Sequence, residues 1–238
     1  MIGTLRNVVL DARDIAGLSA FYTGFAGWRQ EYADDEWVTL RTVDGWRIGL
    51  QAAPAHVPPR WSDPARPPQG HLDLRVPDLD AASARAVELG AVRLRTTGTR
   101  HTLADPAGHP FDLCGMPGDP RTTLAGVTLD CPDPTALSAF YAELLGGPVS
   151  HAADGLATVG TEGGRPVRFQ RVAAYTPPRW LDPAAPQQLH LCIAVADIGA
   201  AEPAALAVGA SPLPGDGENW RVYADPAGKP FCLVWGVA

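Results

Sequence analysis

The chain has 238 residues, of which 46% are hydrophobic and 19% are charged, and its formal net charge at pH 7 is -7. This composition is typical of a folded protein with a buried core and excludes a disordered chain. Residues 1–119 contain 15 acidic and 12 basic residues and residues 120–238 contain 11 and 7, so neither half is basic and nucleic acid is excluded as a partner.

The chain starts with "MIGTLRNVVLDARD", which has no signal-peptide core, and no apolar run reaches membrane-spanning length. We therefore expect a cytoplasmic protein with no membrane partner. The strand "NVVL" comes first, followed by "LSAFYTGFAGW", whose apolar residues recur at helical spacing until Gly27 ends the helix. The strands "WVTLRT" and "WRIGLQ" then flank a turn at Asp44 and Gly45.

A second unit follows in the same order. "HLDLRV" alternates polar and apolar residues as a half-buried strand does, and the helix "LDAASARAVELG" ends at Gly90 before three more strands. The second half of the chain repeats both units. In its last helix, "AAEPAALAVG", Pro203 is expected in the first turn, where proline is tolerated. The pattern predicts four successive β-α-β-β-β modules.

The two halves of the chain are copies of one another. "LSAFY" occurs twice, "PPRW" occurs twice, and a histidine follows each "PPRW", all at an offset of 119 residues. "DPAGHPFDL" and "DPAGKPFCL" are offset by 120. Four ordered matches at nearly one offset indicate a duplication. We predict two domains, residues 1–119 with modules one and two, and residues 120–238 with modules three and four.

These features resemble the vicinal oxygen chelate superfamily, which includes glyoxalase I, bleomycin-resistance proteins and extradiol dioxygenases. The resemblance rests on "LDARDIAGLSAFYTGFAGW", "HLDLRVPDLDAASARAVELGA" and "LADPAGHPFDLCG" with their repeats, and it covers essentially the whole chain. It is strongest with the glyoxalase-like group. It implies an α+β fold of four β-α-β-β-β modules that form two tandem glyoxalase-like open barrels around cavities. The fold leaves the chemistry open.

The resemblance also implies where a metal would bind. In metal-using members, ligands come from the first and last strands of the modules. The first-strand position, seven residues before the Asp that leads into each helix, falls on Asn7, His71, Gly126 and His190. The last-strand position falls on Asp112 and Cys232, and near Gly49 and Arg168 in the other two modules.

Two pairings of the modules remain open. If each copy closes its own cavity, the first contains Asn7, His71 and Asp112, and in the second Arg168 would repel a cation. If modules pair across copies, Gly126 and Arg168 face His71 and Asp112, while Asn7 faces His190 and Cys232. Neither pairing supplies three strong ligands for a catalytic zinc, or two His and a carboxylate for iron. We expect a degenerate metal site, with no certain cofactor and at most a loosely held divalent ion at Asn7, His71 and Asp112.

Three functions remain open, of which small-molecule binding is favoured. An aromatic or amphipathic ligand would lie in a barrel cavity, with the tryptophans as flat walls; the predicted contact residues are Trp61, His71, Trp180, His190 and Arg168. The alternative is a lyase, isomerase or cyclase in which Asp112 raises the pKa of His71, with or without a divalent metal. A purely structural module would have a filled interior. The four cysteines are expected to be free, and the fused copies are consistent with a monomer.

Overall fold

The computed structural model describes residues 1–152 and 155–237, and within them the chain forms four modules of one strand, one helix and three strands, as predicted. Module one comprises β1 (Thr4–Ala12), α1 (Ile15–Ala26), β2 (Arg29–Ala33), β3 (Trp37–Arg41) and β4 (Arg47–Ala52). Module two comprises β5 (Gly70–Val76), α2 (Leu79–Glu88), β6 (Val92–Thr96), β7 (Arg100–Ala104) and β8 (Pro110–Gly115). Module three comprises β9 (Thr123–Cys131), α3 (Pro134–Leu145), β10 (Val149–Ala152), β11 (Leu156–Val159) and β12 (Val167–Arg171). Module four comprises β13 (Leu189–Ala194), α4 (Ile198–Ala207), β14 (Ser211–Asp216), β15 (Trp220–Ala224) and β16 (Pro230–Val234).

The modules pair across the two copies. The first sheet joins modules one and four in the order β14-β15-β16-β13-β1-β4-β3-β2, and the second sheet joins modules two and three in the order β10-β11-β12-β9-β5-β8-β7-β6. β1 pairs antiparallel with β13, and β5 pairs antiparallel with β9. In the described part of the chain the end strands of each sheet do not pair with each other, so both sheets stay open. The across-copy pairing that the sequence left open is the one observed.

Each helix begins at an aspartate. The Asp133 carboxylate accepts hydrogen bonds from the backbone N–H groups of Thr135 and Ala136, and the equivalent aspartates of the other helices, Asp14, Asp78 and Asp197, cap in the same way. These carboxylates satisfy N–H groups that a helix cannot pair internally. At the other end, α1 stops at Gly27, which has a φ of +66° that favours glycine.

The prediction for Pro203 was wrong. α4 begins at Ile198, so Pro203 lies in the interior of the helix and not in its first turn. The helix starts this early because the Asp197 side chain accepts a hydrogen bond from the Gly199 N–H. Proline removes one intrahelical hydrogen bond, but the helix keeps its packing through Ala201 and Ala205, which are buried in the core.

The helices α1 and α3 contact both sheets. α1 packs on β3 and β4 of the first sheet, and its Phe21 ring lies 6.0 Å from Phe111 in β8 of the second sheet. α3 makes the reciprocal contact, with Phe140 5.8 Å from Phe231 in β16. Because side chains alternate along a strand, the residues between these core positions point to the opposite face of each sheet. We call it the helix-free face.

No helix among the described residues is both long and apolar enough to cross a membrane.

Candidate functional site

Three acidic and imidazole side chains meet on the helix-free face of the second sheet. His71 Nε2 lies 3.5 Å from Asp73 Oδ1 and 3.6 Å from Asp112 Oδ2. Asp73 and Asp112 are direct partners on the parallel strands β5 and β8. The sequence had indicated His71 and Asp112 but not Asp73. The signal was present, because the residue two positions after a strand histidine lies on the same face.

Two guanidinium groups neutralise these carboxylates. Arg168 Nη1 lies 3.1 Å from Asp73 Oδ2, and Arg100 Nη1 lies 3.1 Å from Asp112 Oδ2. Hydroxyl groups complete the shell: the Thr128 hydroxyl donates to Asp73 and the Thr102 hydroxyl to Asp112, each at 2.6 Å. Both acids are therefore paired with a cation and hydrogen-bonded, as buried carboxylates require.

A glycine explains how Arg168 reaches the cluster. A Cβ atom at Gly126 would collide with the Arg168 guanidinium, so the guanidinium occupies the space over the glycine. Arg168 Nη2 also donates to the Ala125 carbonyl oxygen at 3.2 Å. Gly126 is one of the first-strand positions that the resemblance indicated for a metal ligand. In the structure, a positively charged group of the protein itself fills that position.

The electrostatic environment favours the charged forms of His71 and Asp73. Burial lowers the pKa of His71, but the hydrogen bond and charge of Asp73, with the charges of Asp112 and Asp130, outweigh burial and raise it above the usual 6.5. Burial raises the pKa of Asp73, but His71, Thr128 and Arg168 outweigh it and bring it below 3.8. The direction agrees with the expectation for His71 beside a carboxylate, but Asp73 contributes more to it than the predicted Asp112.

The helix-free face of the first sheet carries a different set, His190, Cys192 and Cys232. One ligand atom of each lies within 4.8 Å of the other two, and Cys192 Sγ is 3.7 Å from His190 Nε2. Cys192 and Cys232 are direct partners on the parallel strands β13 and β16. Cys192 was not predicted, although it too follows a strand histidine by two positions. All four cysteines of the chain are free, as expected.

Asn7 belongs to the first sheet and not with His71 and Asp112. In the pairing of β1 with β13 it lies opposite Cys192, so the two side chains share a face. Asn7 Oδ1 is buried without a hydrogen-bond partner among the described residues. The predicted metal group of Asn7, His71 and Asp112 is therefore divided between two sheets, because the modules pair across copies.

The indole ring of Trp37 occupies the space beside Gly49, the remaining position of the first sheet that the resemblance indicated for a metal ligand. A Cβ atom at Gly49 would collide with the Trp37 indole, and Trp37 Nε1 donates to Thr39 Oγ1 at 2.8 Å. Trp37 thus fills the space in which a ligand side chain would project. This leaves the donors of the first sheet concentrated on its module-four side.

The predicted ligand-binding residues are distributed over both sheets. His71 and Arg168 lie on the second sheet and His190 on the first. Trp61 is 43% exposed in the loop before β5. Trp180 Nε1 donates to the carbonyl oxygen of Pro214 in β14 at 2.6 Å, which places it beside the edge of the first sheet. The five residues therefore do not form one pocket.

Comparisons with known proteins agree with this architecture. A family model described as "Glyoxalase-like domain" matches residues 7–114 and again residues 126–234. No curated protein matches the chain in sequence. Glyoxalase I from Zea mays is similar in structure, with a TM-score of 0.65 at 16% identity over 97% of this chain and 92% of that chain. A glyoxalase/bleomycin resistance protein/dioxygenase family enzyme from Burkholderia phytofirmans PsJN matches with a TM-score of 0.39 at 19% identity, over 47% of this chain and 98% of that chain.

Proposed function

The chain belongs to the glyoxalase-like group of the vicinal oxygen chelate superfamily, and from that premise we propose that it binds a small amphipathic molecule with an anionic group. The proposed site is the helix-free face of the second sheet. One observation carries the proposal: five charged or imidazole groups converge there on neighbouring strands, and one of them, the Arg100 side chain, is 55% exposed. The others lie deeper, as the 6% exposure of the Asp112 side chain shows.

Arg100 is the first contact we propose for the ligand. A guanidinium has five N–H donors in a planar fork. Arg100 can therefore bind an incoming anion either with its ion pair to Asp112 intact or after that ion pair breaks. If Asp112 is released, the protonated imidazole of His71, 3.6 Å away, compensates its charge. Anion binding is therefore coupled to a proton on His71. We place the apolar part of the ligand against the exposed ring of Trp61, which can stack on a planar group.

A resident divalent metal does not fit this site well. The ligand atoms of His71, Asp73 and Asp112 lie within 4.8 Å of one another, as donors to one ion would. However, guanidinium groups 3.1 Å from both carboxylates already balance their charge. A cation would have to displace Arg100 from Asp112. The alternative, a lyase, isomerase or cyclase in which Asp112 acts on His71, is also not favoured, because Thr102 and Arg100 occupy the two oxygens of Asp112 and Asp73 acts more strongly on His71.

Fluorescence titration with 8-anilinonaphthalene-1-sulfonate, an aromatic anion, tests the proposal. We expect saturable binding at one site, and the Arg100→Gln variant should bind about tenfold more weakly, since a charge-assisted hydrogen bond contributes roughly 1.5–3 kcal/mol. Affinity should fall as pH rises through the pKa of His71, because the imidazolium is then lost. His71→Gln should remove this pH dependence.

Two controls separate the anion from general hydrophobic binding. Arg85→Gln removes the same charge from α2, on the opposite face of the sheet, and should leave affinity unchanged. N-phenyl-1-naphthylamine lacks the sulfonate and should bind wild type and Arg100→Gln equally. Equal weakening of the anionic probe by Arg85→Gln and Arg100→Gln, or no weakening by either, would refute the proposal.

A further inference from the structure

We propose that the first sheet contains a separate binding site for a thiophilic d¹⁰ cation of the Zn²⁺ and Cd²⁺ class, formed by His190, Cys192 and Cys232. This site does not depend on ligand binding at the second sheet. It also uses Cys192, which lies outside the register that the sequence indicated for metal ligands.

The spacing of the donor atoms carries the proposal. A tetrahedral zinc with Zn–S of about 2.3 Å and Zn–N of about 2.0–2.1 Å holds its sulfur and nitrogen ligands roughly 3.6 Å apart. Cys192 Sγ and His190 Nε2 are 3.7 Å apart, and all three donor atoms lie within 4.8 Å of one another. Because the donors project from paired neighbouring strands, the sheet holds them near this spacing without a ligand.

The charges around the donors also suit a soft divalent cation. Two thiolates would neutralise it, and soft sulfur ligands select such ions over Mg²⁺ or Ca²⁺. Arg168, which was expected to repel a cation in copy two, lies on the second sheet because the modules pair across copies. Arg6 is close enough for its charge to act on Cys192. Two thiolates and the Asp11 carboxylate, which also acts on Cys192, outweigh the charge of Arg6.

Neighbouring groups complete the site. His190 Nδ1 lies 3.9 Å from Asp11 Oδ1, so a small shift makes the carboxylate–imidazole pair that orients metal-bound histidines. Asn7 Oδ1 is an independent sign of a missing partner, since it is buried, unpaired among the described residues and opposite Cys192. It is available to the fourth coordination position. Cys232 is less buried than Cys192.

Thiol protection in the wild-type protein is the main test. The reduced protein is alkylated with iodoacetamide with and without Zn²⁺, and the cysteines are followed by peptide mass spectrometry. Cys232 and Cys114 are both half-buried, so Cys114 is a matched control. Zn²⁺ should slow alkylation of Cys232 at least about tenfold and leave Cys114 unchanged. Equal protection of both cysteines, or protection of neither, overturns the proposal.

Cadmium titration provides a second readout. One equivalent of Cd²⁺ should produce ultraviolet thiolate-to-metal charge transfer in the wild type, and Cys114→Ser and Cys131→Ser should retain it. Cys192→Ser and Cys232→Ser should lose half or more of the absorbance per bound ion. Asp11→Asn should weaken binding about 10–100-fold, as expected for a group that orients a ligand. If the folded Cys192→Ser and Cys232→Ser variants keep the full signal, the two thiols are not the ligands and the proposal fails.

Discussion

His56 is a buried imidazole that the proposed sites do not use. Its Nε2 lies 3.0 Å from the Ala107 carbonyl oxygen, and its ring lies 5.1 Å from that of His109. Burial, followed by the charge of His109, lowers its pKa from 6.5 to about 4. His56 is therefore neutral in the folded protein at pH values where the unfolded chain already binds a proton.

This shift predicts a loss of stability in mild acid. The contribution of His56 is complete above the unfolded pKa of 6.5 and is lost as pH falls towards about 4. Between these limits it amounts to roughly 2–3 kcal/mol, at 1.36 kcal/mol per pKa unit. The free energy of unfolding in urea, measured from pH 7 to pH 4.5, should fall more steeply for wild type than for His56→Gln. Parallel profiles would show that His56 does not carry the effect.

Asp105 is the internal control for this comparison. Burial raises its pKa to about 7, so its contribution has the opposite sign: stability falls as pH rises from 3.8 to about 7. Because Asp105 is present in wild type and in His56→Gln, its own titration largely cancels, and the difference between the two profiles reports His56 together with its charge interaction with Asp105. The pH profile of the wild type alone would not isolate His56, because the contributions of His56 and Asp105 have opposite signs.

Single residues also show why the composition of the site could not be predicted fully. The register drew attention to His71, Asp112, His190 and Cys232, and the structure places the first two together on one sheet and the last two together on the other, because a strand position fixes the face. It also fell on Gly126 and near Gly49. A glycine leaves room for a large neighbouring side chain, and whether Trp37, Arg168 or solvent takes that room depends on packing, which no local pattern contains.

Among the elements, the helices are the parts most directly set by local sequence. Asp133 shows the cause, since its carboxylate accepts from Thr135 N at 3.0 Å and from Ala136 N at 3.3 Å before α3 begins. The fourth helix shows the limit. Its cap at Asp197 determines the start, and core packing then outweighs the local disadvantage of Pro203.

Removal of a cap should destabilise the protein by a modest and measurable amount. Asp133→Ala should lower the free energy of unfolding by about 1 kcal/mol, because two helical N–H groups lose their acceptor. Asp133→Asn keeps a side-chain oxygen and should cost much less. Urea unfolding of the three proteins measures both values. An equal loss in the two variants would assign the effect to the charge of Asp133 and not to the hydrogen bonds.

At the scale of the whole molecule, the defining feature is that each sheet takes one module from each copy. The order of strands and helices within a module was predictable, but this pairing was not. The strands "HLDLRV" and "HLCIAV" present similar patterns, so β1 matches β5 as well as it matches β13. Which strand β1 pairs with depends on contacts between residues that lie far apart in the sequence, such as Phe21 with Phe111 and Phe140 with Phe231.

Cutting the chain between the copies tests the across-copy pairing. Fragments 1–119 and 120–238 each lack the partner of their own first strands, so we expect neither to be a folded monomer. Mixed together, the two fragments should form a one-to-one complex, which light scattering detects by its mass. The complex should have the circular dichroism spectrum of the intact chain. A fragment 1–119 that remains monomeric and unfolds cooperatively would show that a copy folds by itself.

The across-copy pairing also bears on how such a protein can diverge. Two identical half-chains would build two identical cavities by symmetry, and every substitution would appear in both. In the fused chain one sheet draws on modules one and four and the other on modules two and three, so no position is shared. This independence permits what the two faces show: acids balanced by arginines on one sheet, and two thiols beside a histidine on the other.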